Sequence, residues 1–269
     1  MSSGTPAPTA SNSVPLDQVR DLALKITTYF EGGKSMNYQA LSDDFDGMGT
    51  SFGLIQWNFG QGTLGPLLTK MMAANEAAFA GCFGANAEYD TLKAAISAGS
   101  IANQLSWARG LLKANRPAWK TAFNCLGAND AFNQIQRQQA IAHYHPRTVT
   151  VVADLRGISP TLFSNVEVRS YLAIFDLCVQ QNGIDNVLTE IKARVAAEQP
   201  ASQLDLMKIA VVERARAARP QYIADCESRR MGILTGAAYT ASEHGVTATR
   251  QNPEFSLIGN LGTQFVAGL

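Results

Sequence analysis

The chain carries no surplus of either charge. Lys plus Arg and Asp plus Glu number 22 each. The balance holds along the chain: residues 1–150 carry 11 basic against 10 acidic side chains, and residues 151–269 carry 11 against 12. Without a basic stripe there is no electrostatic footprint for nucleic acid, and without an acidic run there is none for a polycation. Long apolar runs are lacking too. No stretch approaches the roughly eighteen residues of a membrane span, so none is expected. The opening MSSGTPAPTASNSVP has neither a basic start nor an apolar segment. It reads as a flexible leader or linker, residues 1–15, rather than a secretory signal. Histidine is scarce, at 3, and the 4 cysteines (Cys82, Cys125, Cys178, Cys226) are far apart. His143 and His145 in AHYHPR have no paired cysteines to complete a metal site, so no metal and no cofactor is expected. The cysteines are expected as buried thiols. One disulfide stays open, with no pairing favoured.

What is present is a globular composition, 46% hydrophobic and 16% charged, with a pattern that is overwhelmingly helical. Leu16, Val19, Ala23, Ile26 and Phe30 recur at three- and four-residue steps, one face of a helix ending at Gly32–Gly33. From Lys34 to Phe59 that period vanishes, and Gly, Asp and Ser punctuation around SFGLIQW predicts a small β-hairpin or meander. Thr63 is the expected N-cap of the next helix, with Pro66 tolerated in its first turn. Further helices are expected over 87–98, 101–113, 116–125, 130–144, 165–182, 185–198, 203–218 and 221–235. TVTVVADL at 148–155 is ambiguous between strand and helix. The fold class is mainly α, about ten helices with a small β element near residues 34–60. One domain spans 16–240, and 241–269 is an extension packed on it.

Chemistry concentrates between residues 31 and 61. Glu31 closes the first helix, where the negative end of the dipole and the neighbouring Tyr29 and Phe30 favour a carboxyl that keeps its proton, as a general acid requires. The loop DFDGMGTSFG brings Asp44 and Asp46 into a turn whose Gly47, Gly49 and Gly53 let the backbone approach a ligand. An open polar loop keeps an aspartate ionised, the state a water-activating base needs. Two carboxyls in contrasting environments are the working pair of glycoside hydrolysis. Thr50, Gln56, Trp57, Asn58 and Gln61 supply the hydroxyl, amides and aromatic face that grip sugars. Further along, Asp176 and Gln180 share one face of an apolar helix at i, i+4, facing a groove or a buried polar network. The arginines of RARAARPQYIADCESRRMGILTG read as helix-surface ion pairs.

These residues resemble the lysozyme-like superfamily. The match is strongest to the chitosanases of glycoside hydrolase family 46 and their peptidoglycan-cleaving, muramidase-type relatives in bacterial effectors and phage lysins. The run DGMGTSFG at 46–53 matches their Asp-Gly-x-Gly-x-Ser/Thr-x-Gly motif. The resemblance implies an α+β lysozyme-like fold, with Glu31 as acid, Asp46 as base and Ser51 as the hydroxyl that positions water; Asp44 stays open as the alternative base. It implies hydrolysis of β-1,4 bonds in peptidoglycan glycan strands by inversion, with carboxyls about 6.5–9.5 Å apart. Chitosan is the alternative substrate, and a non-catalytic glycan-binding module the alternative function. A wall-degrading enzyme without a secretory signal is expected to be made in the cytoplasm. A secretion system or phage-type route would then deliver it to the periplasm or wall of a target cell. An antibacterial effector of that kind implies an immunity protein as partner.

Overall fold

The computed structural model describes residues 12–44, 47–84 and 88–269. The chain divides into two compact units, residues 1–30 with 143–269, and residues 31–142. In chain order the elements are β1 (Ser13–Val14), α1 (Leu16–Gly32), β2 (Leu41–Ser42), β3 (Ser51–Phe52), β4 (Trp57–Asn58), α2 (Leu64–Ala74), α3 (Glu76–Phe83), α4 (Glu88–Ser97) and α5 (Ile101–Ala128). They continue with α6 (Asp130–Ile158), α7 (Val168–Gln181), α8 (Leu188–Glu198), α9 (Gln203–Arg216), α10 (Ile223–Thr235), β5 (Tyr239–Glu243), β6 (Val246–Arg250), α11 (Phe255–Leu261) and β7 (Phe265–Val266). The mainly helical class and the small β element after the first helix are as expected.

In the unit of residues 31–142, β2, β3 and β4 form an antiparallel meander, with Leu41 opposite Phe52 and Phe52 opposite Trp57. Its inner face meets an aromatic core. The Phe52 and Phe123 rings lie 5.1 Å apart, Phe79 and Phe83 5.7 Å, and Phe79 and Phe132 6.0 Å. Burying each such ring contributes about 1.5–3 kcal/mol, so this cluster is the anchor of the unit. Cys82 of α3 and Cys125 of α5 are joined by a disulfide, which corrects the expectation of four free thiols; Cys178 and Cys226 remain buried and free.

Two helices are longer than expected. α5 runs unbroken through Pro117, and α6 runs through Pro146 and absorbs TVTVVADL. Proline interrupts one backbone hydrogen bond. Burial outweighs that loss: Trp119 and Phe123 of α5 are fully buried, as are Val151, Val152 and Leu155 of α6 to within 1%. The threonines that suggested a strand instead bond back along the helix, Thr148 Oγ1 to the Tyr144 carbonyl at 2.9 Å and Thr150 Oγ1 to the Pro146 carbonyl at 3.2 Å. Thr63 is not a side-chain cap for α2. Its hydroxyl accepts from the Asn58 N–H at 3.0 Å and donates to the Asn58 carbonyl.

In the other unit α7 is central, buried from Ser170 through Cys178 and packed by α9, α10 and α11. The hairpin β5–β6 lies on α10. β1 pairs in parallel with β7, Ser13 opposite Phe265 and Val14 opposite Val266. None of the described helices is long and apolar enough to cross a membrane.

Candidate active site

Glu31 is the penultimate residue of α1 and is half-buried. The helix stops because Gly33 adopts φ +68°, and the Asn37 amide Nδ2–H donates to the freed Gly32 carbonyl at 3.4 Å. A Cβ on Gly32 would lie 3.5 Å from the Ala40 Cβ, so the end of α1 packs directly on the residue preceding β2. The acid is thereby fixed to the meander through a turn of only a few residues.

The loop from β2 to β3 is held from one side. The Asp44 carboxylate accepts from the Gly49 N–H at 2.6 Å through one oxygen and from Arg109 Nε at 2.7 Å through the other. Arg109 also donates to the Gly47 carbonyl at 2.9 Å, and Arg116 pairs with Asp43. Both arginines come from α5. The Arg109 guanidinium, with the Gly49 N–H second, holds the Asp44 carboxyl below the usual carboxylate range. Gly49, at φ +77°, passes so close to α5 that a Cβ would lie 2.9 Å from Leu105 Cδ2. Asp46 lies outside the described residues, and with it the distance to Glu31.

Several expected sugar contacts are interior. Thr50 is fully buried, and Trp57 and Asn58 are 5% and 6% exposed, so they frame the meander rather than line a binding surface. Asn58 spends its side-chain oxygen on the Gln61 N–H at 2.8 Å. Gln56, itself at φ +54°, accepts from Ser42 Oγ at 2.9 Å and donates to the Gly53 carbonyl at 3.1 Å. Ser51 sits in β3 at 6% exposure, between Ser42 and Asn58. Gln61 is exposed. Among the described residues, Glu31, Asp44, Ser51, Gln56 and Gln61 are thus brought into one unit. Asp176 and Gln180 belong to the other.

There they form the buried polar network rather than a groove. Asp176 is fully buried and pairs with Arg229 Nη2 at 2.7 Å and Arg230 Nε at 3.4 Å. Arg230 also donates to Gln180 Oε1 at 2.6 Å. Arg229 and Arg230 are 4% and 0% exposed, which corrects their reading as surface arginines. The Arg229 guanidinium stacks 4.7 Å over the ring of Phe30, the residue before Glu31. Among the described residues no group of three or more His, Cys, Asp or Glu could hold a metal ion.

Sequence reasoning missed Arg109, Arg116 and Gln136. Gln136 of α6 is fully buried; it accepts from the Leu54 N–H at 3.0 Å and donates to the Tyr38 carbonyl at 3.2 Å. No local pattern marks these residues, because their partners lie 62 to 98 residues away.

Neither a protein-family model nor a curated protein sequence matches the chain. Solved structures do. A native chitosanase from Bacillus subtilis MY002 is 10% identical, with 87% of this chain and 98% of that chain covered and a TM-score of 0.56. A glycoside hydrolase family 46 chitosanase from Gynuella sunshinyii, in complex with chitotetraose, is 14% identical over 91% and 99%, with a TM-score of 0.56. Chitosanase OU01, co-crystallised with substrate, is 18% identical over 89% and 100%, with a TM-score of 0.54. The helix that carries Glu31, the meander that follows it and the later helices therefore share the mainly helical fold of these solved chitosanases.

Proposed function

We propose that this protein is a glycoside hydrolase that cleaves β-1,4 bonds between amino sugars by inversion. Glu31 delivers a proton to the glycosidic oxygen, and Asp46, with Ser51 orienting the water, activates attack from the opposite face of the ring. The observation that carries this reading is a carboxyl at the end of α1, where Gly32 packs on the start of a three-stranded meander, in a fold shared with solved chitosanases. Asp44 is the weaker candidate for the base. Both of its oxygens are hydrogen-bonded and its affinity for a proton is depressed.

For the substrate we favour the glycan strands of peptidoglycan over chitosan. A polycation calls for unneutralised carboxylates, yet Asp43 and Asp44 are each matched by an arginine. Residues 31–142 as a whole hold eight acidic against eight basic side chains. A wall-degrading substrate carries with it the role of an antibacterial effector or lysin, and the effector role an immunity protein as partner. Digestion of purified sacculi and of chitosan side by side, with mass analysis of the reducing ends, tests the assignment. Glu31→Gln should lower the rate by about 10²–10⁴-fold. Cleavage of chitosan alone would move the assignment to a chitosanase. An active Glu31→Gln variant would remove the acid from the mechanism, and binding without cleavage by the unmodified protein would make it a glycan-binding module.

A further inference from the structure

Helix α5 touches the candidate site along most of its length. The stretch before Pro117 carries Arg109 and Arg116, which hold Asp44, Gly47 and Asp43. The stretch after it abuts the segment that leads from Glu31 into β2. The Asn124 carbonyl accepts from Gln39 Nε2 at 2.9 Å, and a Cβ on Gly127 would lie 2.5 Å from the Tyr38 carbonyl oxygen and 2.8 Å from Gln39 Cα. Between these two contacts sits Cys125, bonded to Cys82 of α3. Cys125 is an exposed residue and Cys82 a half-buried one. Pro117 breaks one backbone hydrogen bond midway along α5. The segment bearing Cys125 is held by the burial of Trp119 and Phe123 together with the covalent link to α3.

We propose that the Cys82–Cys125 disulfide is a redox lock on the candidate active site: oxidised, it presses α5 against residues 38–39; reduced, it lets that contact loosen and activity fall. This rests on the hydrolase reading and adds its regulation. Reduction proceeds by thiol–disulfide exchange with a small thiol. Its thiolate attacks the sulfur of Cys125, the more exposed residue of the two, and Cys82 leaves as a thiolate that takes up a proton. A second thiol then attacks the reductant's sulfur in the mixed disulfide, releasing Cys125 as a thiol and the reductant as its own disulfide. Two electrons pass from reductant to protein. In a thiol-rich cytoplasm the chain would stay in the slack form, and an oxidising compartment outside it would set the lock.

The test compares oxidised protein with protein reduced by dithiothreitol and alkylated, both below the melting temperature and matched in far-UV circular dichroism. Amide hydrogen exchange is followed over residues 36–44 and 47–49, and kcat/KM on sacculi or chitosan. Reduction should speed exchange in those segments and lower kcat/KM on the order of ten- to a hundredfold, the scale of a displacement near 1 Å. Oxidised glutathione should restore both in protein that has not been alkylated. The Cys82→Ser, Cys125→Ser double variant should be low in activity whatever the redox state. Unchanged exchange in folded, reduced protein overturns the lock, and so does full activity of that form. If the oxidised protein cleaves no glycan, the hydrolase reading fails, and exchange alone still decides the lock.

Discussion

The tightest junction behind the candidate site is the approach of Gly53 to Gln136, and it sets up a double-mutant cycle. Gly53 has φ +81°, and a Cβ there would lie 2.3 Å from Gln136 Oε1, 2.9 Å from Gln136 Cδ and 3.1 Å from Trp57 Cζ3. Gly53→Ala therefore has two costs. The left-handed backbone costs an L-residue about 1–2 kcal/mol. The clash displaces Gln136, which is fully buried and gives up its bonds to the Leu54 N–H and the Tyr38 carbonyl. One of those bonds is buried and one partly so, for a loss of roughly 2–4 kcal/mol. The single variant should lose about 3–6 kcal/mol. Gln136→Ala alone should lose roughly 2–4 kcal/mol. In the double variant the clash with Gln136 is gone, so only the backbone strain and the Trp57 contact, both present in the single variant as well, add to the Gln136→Ala cost. The coupling should then be about 2–4 kcal/mol of non-additivity, read from urea midpoints at constant m-value. Additive costs to within about 0.5 kcal/mol would refute the argument, because they would mean the glycine is not there to make room for the amide.

Two further perturbations address the other unit. Asp176→Asn withdraws a carboxylate from two buried guanidiniums and should cost about 3–5 kcal/mol in urea unfolding, whereas a surface pair such as Lys208–Asp205 should cost under about 1 kcal/mol. His145, whose Nδ1 lies 2.8 Å from the buried Tyr171 hydroxyl, supplies an acid-side slope. Burial first, and then the Arg20 guanidinium, hold its pKa below the ordinary 6.5. The unfolded chain thus takes up this proton before the folded one, and stability falls as pH drops below 6.5. Denaturation midpoints followed from neutrality to about pH 5 should decline less steeply in His145→Gln, and an unchanged slope would assign the decline to other groups.

What the sequence disclosed depended on the range of the interaction. The stripe through Val19, Ala23 and Ile26, ended by Gly32–Gly33, is a local signal, and α1 follows it. The loss of period after Lys34 is equally local, and the meander lies there. The prolines misled because a break is what proline does in isolation; the buried Trp119, Phe123, Val151 and Leu155 supply the opposing term, which no window of sequence contains. Glu76–Phe83 was overlooked since small residues such as Ala77, Ala78 and Gly81 give little apolar contrast. The hairpin at the C-terminal end had a readable signal that went unused: YTASE and VTATR flank His244–Gly245, both at positive φ. At the candidate site, the motif residues were legible and their supports were not. Charge suggested exposure for Arg229 and Arg230, but the carboxylate that draws them inward stands 53 and 54 positions earlier.

The parallel pairing of β1 with β7 has a consequence for biosynthesis. Val14 cannot find Val266 until the intervening chain of about 250 residues has been made, an interval of roughly 12–50 s at 5–20 residues per second. Residues 31–142 form contacts among themselves and can mature on the ribosome during that wait. The flanking segments must stay soluble with their apolar strand partners still unmade. Pairing of β1 with β7 therefore comes late in synthesis, after residues 31–142 have had time to fold, and until then the apolar edge around Val14 is open to proteases and chaperones.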